Sequence, residues 1–170
     1  MMRRFFFPPP LITLYCLILY RAKVSSKAEV EVSGYLKMGK GVQVSSFCKI
    51  KSGRGPLEIG RNTHIAAGCF ISSHAAGLYI GEDVLIGPHV SITASNYKYG
   101  RLDQPIRLQG HSSKGVRIGN NVWIGAGAAI LDGSTIGEGV VIAANSVVSG
   151  TVPGRTIVQG NPGKVIFKRR

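Results

Sequence analysis

VRIGNNVWIGAGAAILDGSTIGEGVVIAANSVVSG, residues 116–150, places an aliphatic side chain at Ile118, Ile124, Ile130, Ile136, Ile142 and Val148, six residues apart each time. The beat continues upstream through Val32, Met38, Val44, Ile50, Ile59, Ile65, Ile71, Ile80, Ile86 and Ile92. The residue after the aliphatic one is often Gly, and the fifth of each hexad is usually small, as at Cys48, Cys69, Ala75, Val122, Ala128 and Val152. Neither a helix, with a period of about 3.6, nor an alternating strand produces a six-residue beat. Six residues make one extended segment and a turn, and three such segments close one triangular coil of a parallel β-helix. The expected fold class is therefore all-β, a hexapeptide-repeat solenoid. Its coils stack at the ordinary strand spacing of about 4.8 Å, each burying an aliphatic ladder against the next.

Lettering the three faces A, B and C in rotation from Val32, the long intervals run from Ile50 to Ile59, Ile71 to Ile80 and Ile92 to Ile118. All three lie between face A and face B. Successive coils thus carry their insertions at one corner, the largest giving a loop over 96–117, and a loop on a rigid frame is where function is expected.

The composition describes one unit of 170 residues with short flanks: residues 1–30 as an N-terminal segment and 31–168 as the solenoid domain. The three Cys have no disulfide or metal spacing, and Cys48 and Cys69 read as reduced core residues, which implies a cytoplasmic setting. The net charge is +13, and Arg3, Arg4, Arg21, Lys23 and Lys27 all precede the first acid, Glu29. Such a chain suits an anionic partner, and no nucleic-acid motif accompanies the charge. Residues 5–20, FFFPPPLITLYCLILY, are too short and too interrupted by Pro8, Pro9 and Pro10 for a membrane span, which needs about 20 residues. No cleavage site of the secretory type follows them. Two readings stay open: a cap over the end of the solenoid or a subunit contact, and attachment through residues 3–23 to a membrane surface, at the inner face of the membrane.

From Val116 to Lys168 the chain resembles the C-terminal coils of the left-handed β-helix acyltransferases, in the branch with maltose, galactoside and polysaccharide O-acetyltransferases. The residues that carry the resemblance are Val122-Trp123-Ile124-Gly125 and the tail Gly160-Asn161-Pro162-Gly163-Lys164. The resemblance implies a left-handed solenoid, a homotrimer, acetyl-CoA in a groove between neighbouring subunits and a saccharide acceptor beside the large loop. It also implies that the pantetheine arm runs along Gly125, Ala126, Ala143 and Ala144, with Ser149 on the next coil, and that Lys164, helped by Lys168 or Arg169, meets the nucleotide phosphates. Glycine and alanine also fill tight turns for purely structural reasons.

On the catalytic side the chain departs from this family. The family generally has a His at the start of the large loop, in a sequence like Asn-His, and here that place reads Asn96-Tyr97. A phenol of ordinary pKa near 10 is protonated at neutral pH and makes a poor general base. His74 lies three residues after Ile71, as Ser95 does after Ile92, so His74 is expected one coil from Asn96 and Tyr97 at the insertion corner. Asn96 falls at the fifth, inward position, where an amide needs partners; it either satisfies the loop backbone or orients the acceptor. His111 lies in the loop itself, and His64 and His89 belong elsewhere. Four scattered His do not make the three-His zinc site of a carbonic anhydrase on this type of fold, and no metal is expected.

The function expected on these grounds is acetyl-CoA-dependent O-acetylation of a saccharide, in surface polysaccharide synthesis, with His74, Asn96 and Tyr97 as catalytic candidates and a backbone amide near Gly125 stabilising the oxyanion. N-acetylation of an amino-sugar and a catalytically silent binding module are the alternatives.

Overall fold

A computed structural model describes residues 8–52 and 54–170. Its strands run parallel in three ladders that form the sides of a solenoid. Face A stacks Glu29–Val30, Lys49–Lys51, Phe70–Ser72, Ser91–Thr93, Ala129–Ile130 and Val147–Val148. Face B stacks Leu36–Met38, Leu57–Ile59, Leu78–Ile80, Val116–Ile118, Thr135–Ile136 and Thr151–Val152. Face C begins with Lys23–Val24 and ends with Thr156–Gln159, against which Lys164–Lys168 turns back antiparallel.

The register aligns the sixfold beat coil on coil: Ile71 pairs with Ile92 and Ile92 with Ile130, and all three are buried. Fully burying one such side chain contributes roughly 1.5–3 kcal/mol, so the ladders dominate the stability of the fold. Cys48 and Cys69 are buried and free, as their spacing indicated, and their thiols donate to Ala66 O and Gly87 O at 3.0 and 3.1 Å. Corners turn sharply because the third residue after the aliphatic one takes a left-handed conformation; Asn62, Asp83 and Asn121 do this with φ near 55°, which a short amide or carboxylate tolerates.

Four details differ from the sequence reading. The first face-A residue is Val30, paired with Ile50, rather than Val32, which is half-buried. The coil therefore begins at Lys23–Val24, inside the segment expected as a flank, and a further insertion, between Val30 and Met38, lies at the same corner. Val152 pairs with Ile136 and so takes the aliphatic place on face B instead of the small one. At the insertion corner the small inward residues are Ser52, Ser73 and Ala94, two after the aliphatic one, while Ala75 is exposed, because the longer corner leaves the coil sooner.

Helix α1 (Pro9–Tyr20) lies at the N-terminal end of the stack. It buries Cys16 in the core, packs Ile12 and Tyr20 against it, and donates from Tyr20 Oη to Leu36 O at 2.8 Å. It is a cap in that sense. The aromatic and basic residues at positions 3–7 lie outside the described residues. No helix among the described residues is long and apolar enough to cross a membrane.

Candidate functional site

The large loop leaves the solenoid at Ala94, whose amide still donates to Ser72 O at 3.0 Å. It then forms a two-stranded hairpin in which Asn96 pairs with Ser112 and Tyr97 with His111. The return is fixed from two sides. Ser113 Oγ donates to Ala94 O at 2.7 Å and accepts from the Ala76 amide at 3.1 Å, while the Asp132 carboxylate accepts from the Lys114 and Gly115 amides at 2.8 Å each. Bonds to a carboxylate are the stronger kind, so Asp132 anchors the loop to the coil above. At the tip, the Gln109 amide group accepts from Arg101 N and donates to Arg101 O, beside an Arg101–Asp103 ion pair.

This hairpin brings together side chains far apart in sequence. The His111 ring stacks on Tyr97 with centroids 4.2 Å apart and on His74 with centroids 5.3 Å apart. Both ring nitrogens of His74 are enclosed without a hydrogen-bond partner. Of His111, Nδ1 is enclosed and unpartnered, whereas Nε2 is not among the enclosed atoms. Burial pushes the His74 imidazole below its ordinary value; the neighbouring His111 and Arg54 push the same way, and Asp132 opposes them. His74 is thus held neutral at pH 7, the form in which an imidazole accepts a proton. Unpaired polar atoms in a covered place are costly unless something completes them.

His74 and Tyr97 lie together, with His111 between them. Asn96 differs from expectation: it is exposed on the hairpin, and the inward place belongs to Ala94, because the chain turns outward before the fifth position is reached. His111 is not among the catalytic candidates that the sequence singles out. Only the hairpin register places it, and Gln109-Gly110-His111 carries no signal of which strand it will meet. His89 is a corner residue with φ 57°, and His64 is exposed on face C.

A second column lies at the corner between faces C and A. Gly125 and Ala126 sit one coil below Ala143 and Ala144, and a Cβ on Gly125 would meet Ala144 N at 2.5 Å, so glycine is required there. The Gly125 amide is engaged with Ile142 O at 2.7 Å and the Ala143 amide with Val158 O at 2.8 Å. Among the described residues the exposed Ala126 and Ala144 amides donate to nothing. Lys164 pairs with Gln159, the next residue up this column, and is exposed. Ser149 follows Val148 on face A, at a different corner.

The bacterial transferase hexapeptide (six repeats) family model matches residues 115–150. The chain is 38% identical over 96 residues to the putative lipopolysaccharide biosynthesis O-acetyl transferase WbbJ of Escherichia coli K12, covering 52% of this chain and 49% of that protein. It spans about half the length of such curated relatives or less. Among solved structures, AntD, an N-acyltransferase from Bacillus cereus crystallised with dTDP and coenzyme A, superposes with a TM-score of 0.80 at 23% identity over 92% of this chain and 88% of that one. This likeness bears on the fold, a left-handed parallel β-helix. A galactoside acetyltransferase in complex with coenzyme A aligns with a TM-score of 0.63 at 25% identity, covering 91% of this chain and 68% of that one.

Proposed function

We propose that this chain, whose residues 115–150 match the hexapeptide transferase family model, is a hexapeptide-repeat acyltransferase, and specifically an acetyl-CoA-dependent O-acetyltransferase whose acceptor is a saccharide of surface polysaccharide synthesis. The observation that carries the reading is the stack of Tyr97, His111 and His74, which supplies two imidazoles where the expected histidine is a tyrosine. WbbJ and galactoside acetyltransferase, by their names, are acetyl transferases of this kind.

A hydroxyl needs help in losing its proton before it can attack; a neutral amine does not. An imidazole base is therefore better suited to an alcohol than to an amino-sugar, and it disfavours the silent binding module. In this reading His111 Nε2 accepts the hydroxyl proton, and His74 behind it keeps the ring in place and disfavours any second charge. Tyr97 and the exposed Asn96 border the acceptor. The loop cations Lys98, Arg101 and Arg107 make that side basic, with Asp103 against Arg101.

The small-residue column fits the acyl donor. Gly125, Ala126, Ala143 and Ala144 leave no bulk to hold a pantetheine arm away, and the free Ala126 and Ala144 amides can donate to it or to a developing oxyanion. Lys164, paired with Gln159 above the same column, suits the nucleotide phosphates, and Ser149 stays a weaker candidate. Acetyl-CoA supplies the acyl group as a thioester; transfer leaves an acetyl ester on the sugar and the free thiol, which takes up the proton. A homotrimer with this column at a subunit boundary completes the proposal.

The test is thiol release from acetyl-CoA against a panel of hydroxyl-bearing and amino-sugars. Acceptor-dependent release with hydroxyl sugars is expected. Release with amino-sugars alone would favour N-acetylation, and none with any acceptor would overturn the enzyme reading.

A further inference from the structure

Capping the solenoid engages a single side of α1. Cys16, Ile12 and Tyr20 face the core, while Leu11, Leu14, Leu17 and Ile18 stay about half exposed or more, Ile18 at 72%. The helix stands partly clear of the stack: a groove of about 380 Å³, lined by Thr13, Leu17, Ala22, Lys23, Val24 and Gln43 among others, runs between it and face C. Further exposed aromatic side chains lie on the neighbouring coils. Tyr35 is 53% exposed and Phe47 71% exposed, on the first and second coils, and Tyr20 and Lys27 tie these residues to the same end through Leu36 O and the Phe47 amide. Leu11, Leu14, Leu17 and Ile18 left open to solvent are more than a cap requires.

From Arg21 to Lys27 the charges are of one sign. Arg21 and Lys23 follow the helix directly, and Lys27 Nζ lies 5.8 Å from the Phe47 ring centroid, all three residues exposed. Of the next acids, Glu29 pairs with Lys49 at 3.2 Å and Glu31 accepts from the Ser52 amide. The arrangement is an apolar helix of twelve residues, spanning about 18 Å, flanked by aromatic side chains and by lysine and arginine. That is too short to cross a bilayer and suited to lying along its surface.

We propose that α1, with Tyr35, Phe47 and the cations Arg21, Lys23 and Lys27, is a docking surface for the anionic face of a lipid bilayer. The leucines and Ile18 enter the acyl boundary, the aromatic rings sit at headgroup depth, and the cations meet phosphate. An anionic bilayer matches both the apolar area and the sign of the charge; an acidic protein would match the charge alone.

The protein is sedimented with vesicles of phosphatidylcholine alone and of phosphatidylcholine with phosphatidylglycerol. It should pellet with the anionic vesicles and remain largely in solution with the neutral ones. Leu14→Glu with Ile18→Glu and, separately, Lys23→Gln with Lys27→Gln should each lower the bound fraction about tenfold or more. All four side chains are exposed, so the thermal midpoint should not move, and a variant that has lost it is replaced by Leu11→Glu. Failure to bind anionic vesicles, equal binding to both, or binding that survives both pairs of substitutions overturns the proposal. A Leu14→Glu, Ile18→Glu protein that sediments as a smaller particle, with no vesicle binding by the parent, overturns it in favour of a second copy of the chain.

Discussion

The imidazoles of His74 and His111 stand 5.3 Å apart with their planes inclined by 33°, one at a solenoid corner and the other on a hairpin strand from the coil above. Neither Nδ1 has a hydrogen-bond partner. The contact joins the hairpin to the corner, so the position of the loop depends on this pair.

For catalysis, His111→Ala should lower kcat by about 10² to 10⁴, with little effect on acetyl-CoA affinity. His74→Ala should also lower kcat but alter its pH profile, because the second ring sets the environment of the first. Tyr97→Phe should cost much less, since the stacked ring is kept. Steady-state kinetics across pH checks all three, and a parent-like His111→Ala enzyme would return the base to His74 or Tyr97.

The depressed pKa of His74 fixes the sign of a stability effect. The folded state holds this imidazole neutral below the ordinary value near 6.5, so its contribution is complete above that pH. The contribution is lost as pH falls from about 6.5 through the lower folded value. Denaturant unfolding at pH 7.5 and pH 5 should show a smaller acid loss for His74→Gln than for the parent.

Gly55 lies directly beneath the corner that presents His74, and a Cβ there would run into the His74 carbonyl oxygen. Gly55→Ala should therefore destabilise the protein by about 1–3 kcal/mol, the usual cost of overpacking. It should also reduce kcat, because the backbone under the ring must move. Urea midpoints and initial rates on the same preparation separate the two effects.

Lys164→Ala should weaken binding of acetyl-CoA while leaving acetyl-pantetheine, which lacks the nucleotide, nearly unaffected. Calorimetric titration with both compounds distinguishes a phosphate contact from damage to the strand Lys164–Lys168, which would reduce both equally.

Assembly has a marker of its own. Trp123 is 55% exposed and pairs with the equally open Leu85 on the outer surface of face C. The proposed trimer should be the species sedimenting at micromolar concentration, and Trp123→Glu should dissociate it. A monodisperse monomer for the parent would remove both the trimer and the shared cofactor groove.

The ladders were legible because burial repeats: Ile118, Ile124 and Ile130 each meet the same narrow interior, and a beat of six leaves little freedom. The corner holding His74 and the loop could be read from where that beat lengthens. What could not be read is set by local irregularity. Val30 rather than Val32 begins face A because the corner that follows it is two residues longer, and a pattern of six cannot register a lengthening before it has started. Asn96 was assigned inward by counting, yet the chain had already left the coil at Ala94. His111 needed the pairing with Tyr97 across the loop, a register that the sixfold beat does not specify.

A stack of parallel strands has no intrinsic stopping rule, since the top coil of one molecule offers the same unpaired amides and carbonyls that the bottom coil of another could accept. Here α1 covers one end, and Lys164–Lys168 runs backwards across face C at the other, bearing lysines at both of its ends. A reversed, cationic strand is a poor template for the next parallel coil. These two pieces therefore limit the stack: without them the same beat that builds a finite solenoid would build a fibre.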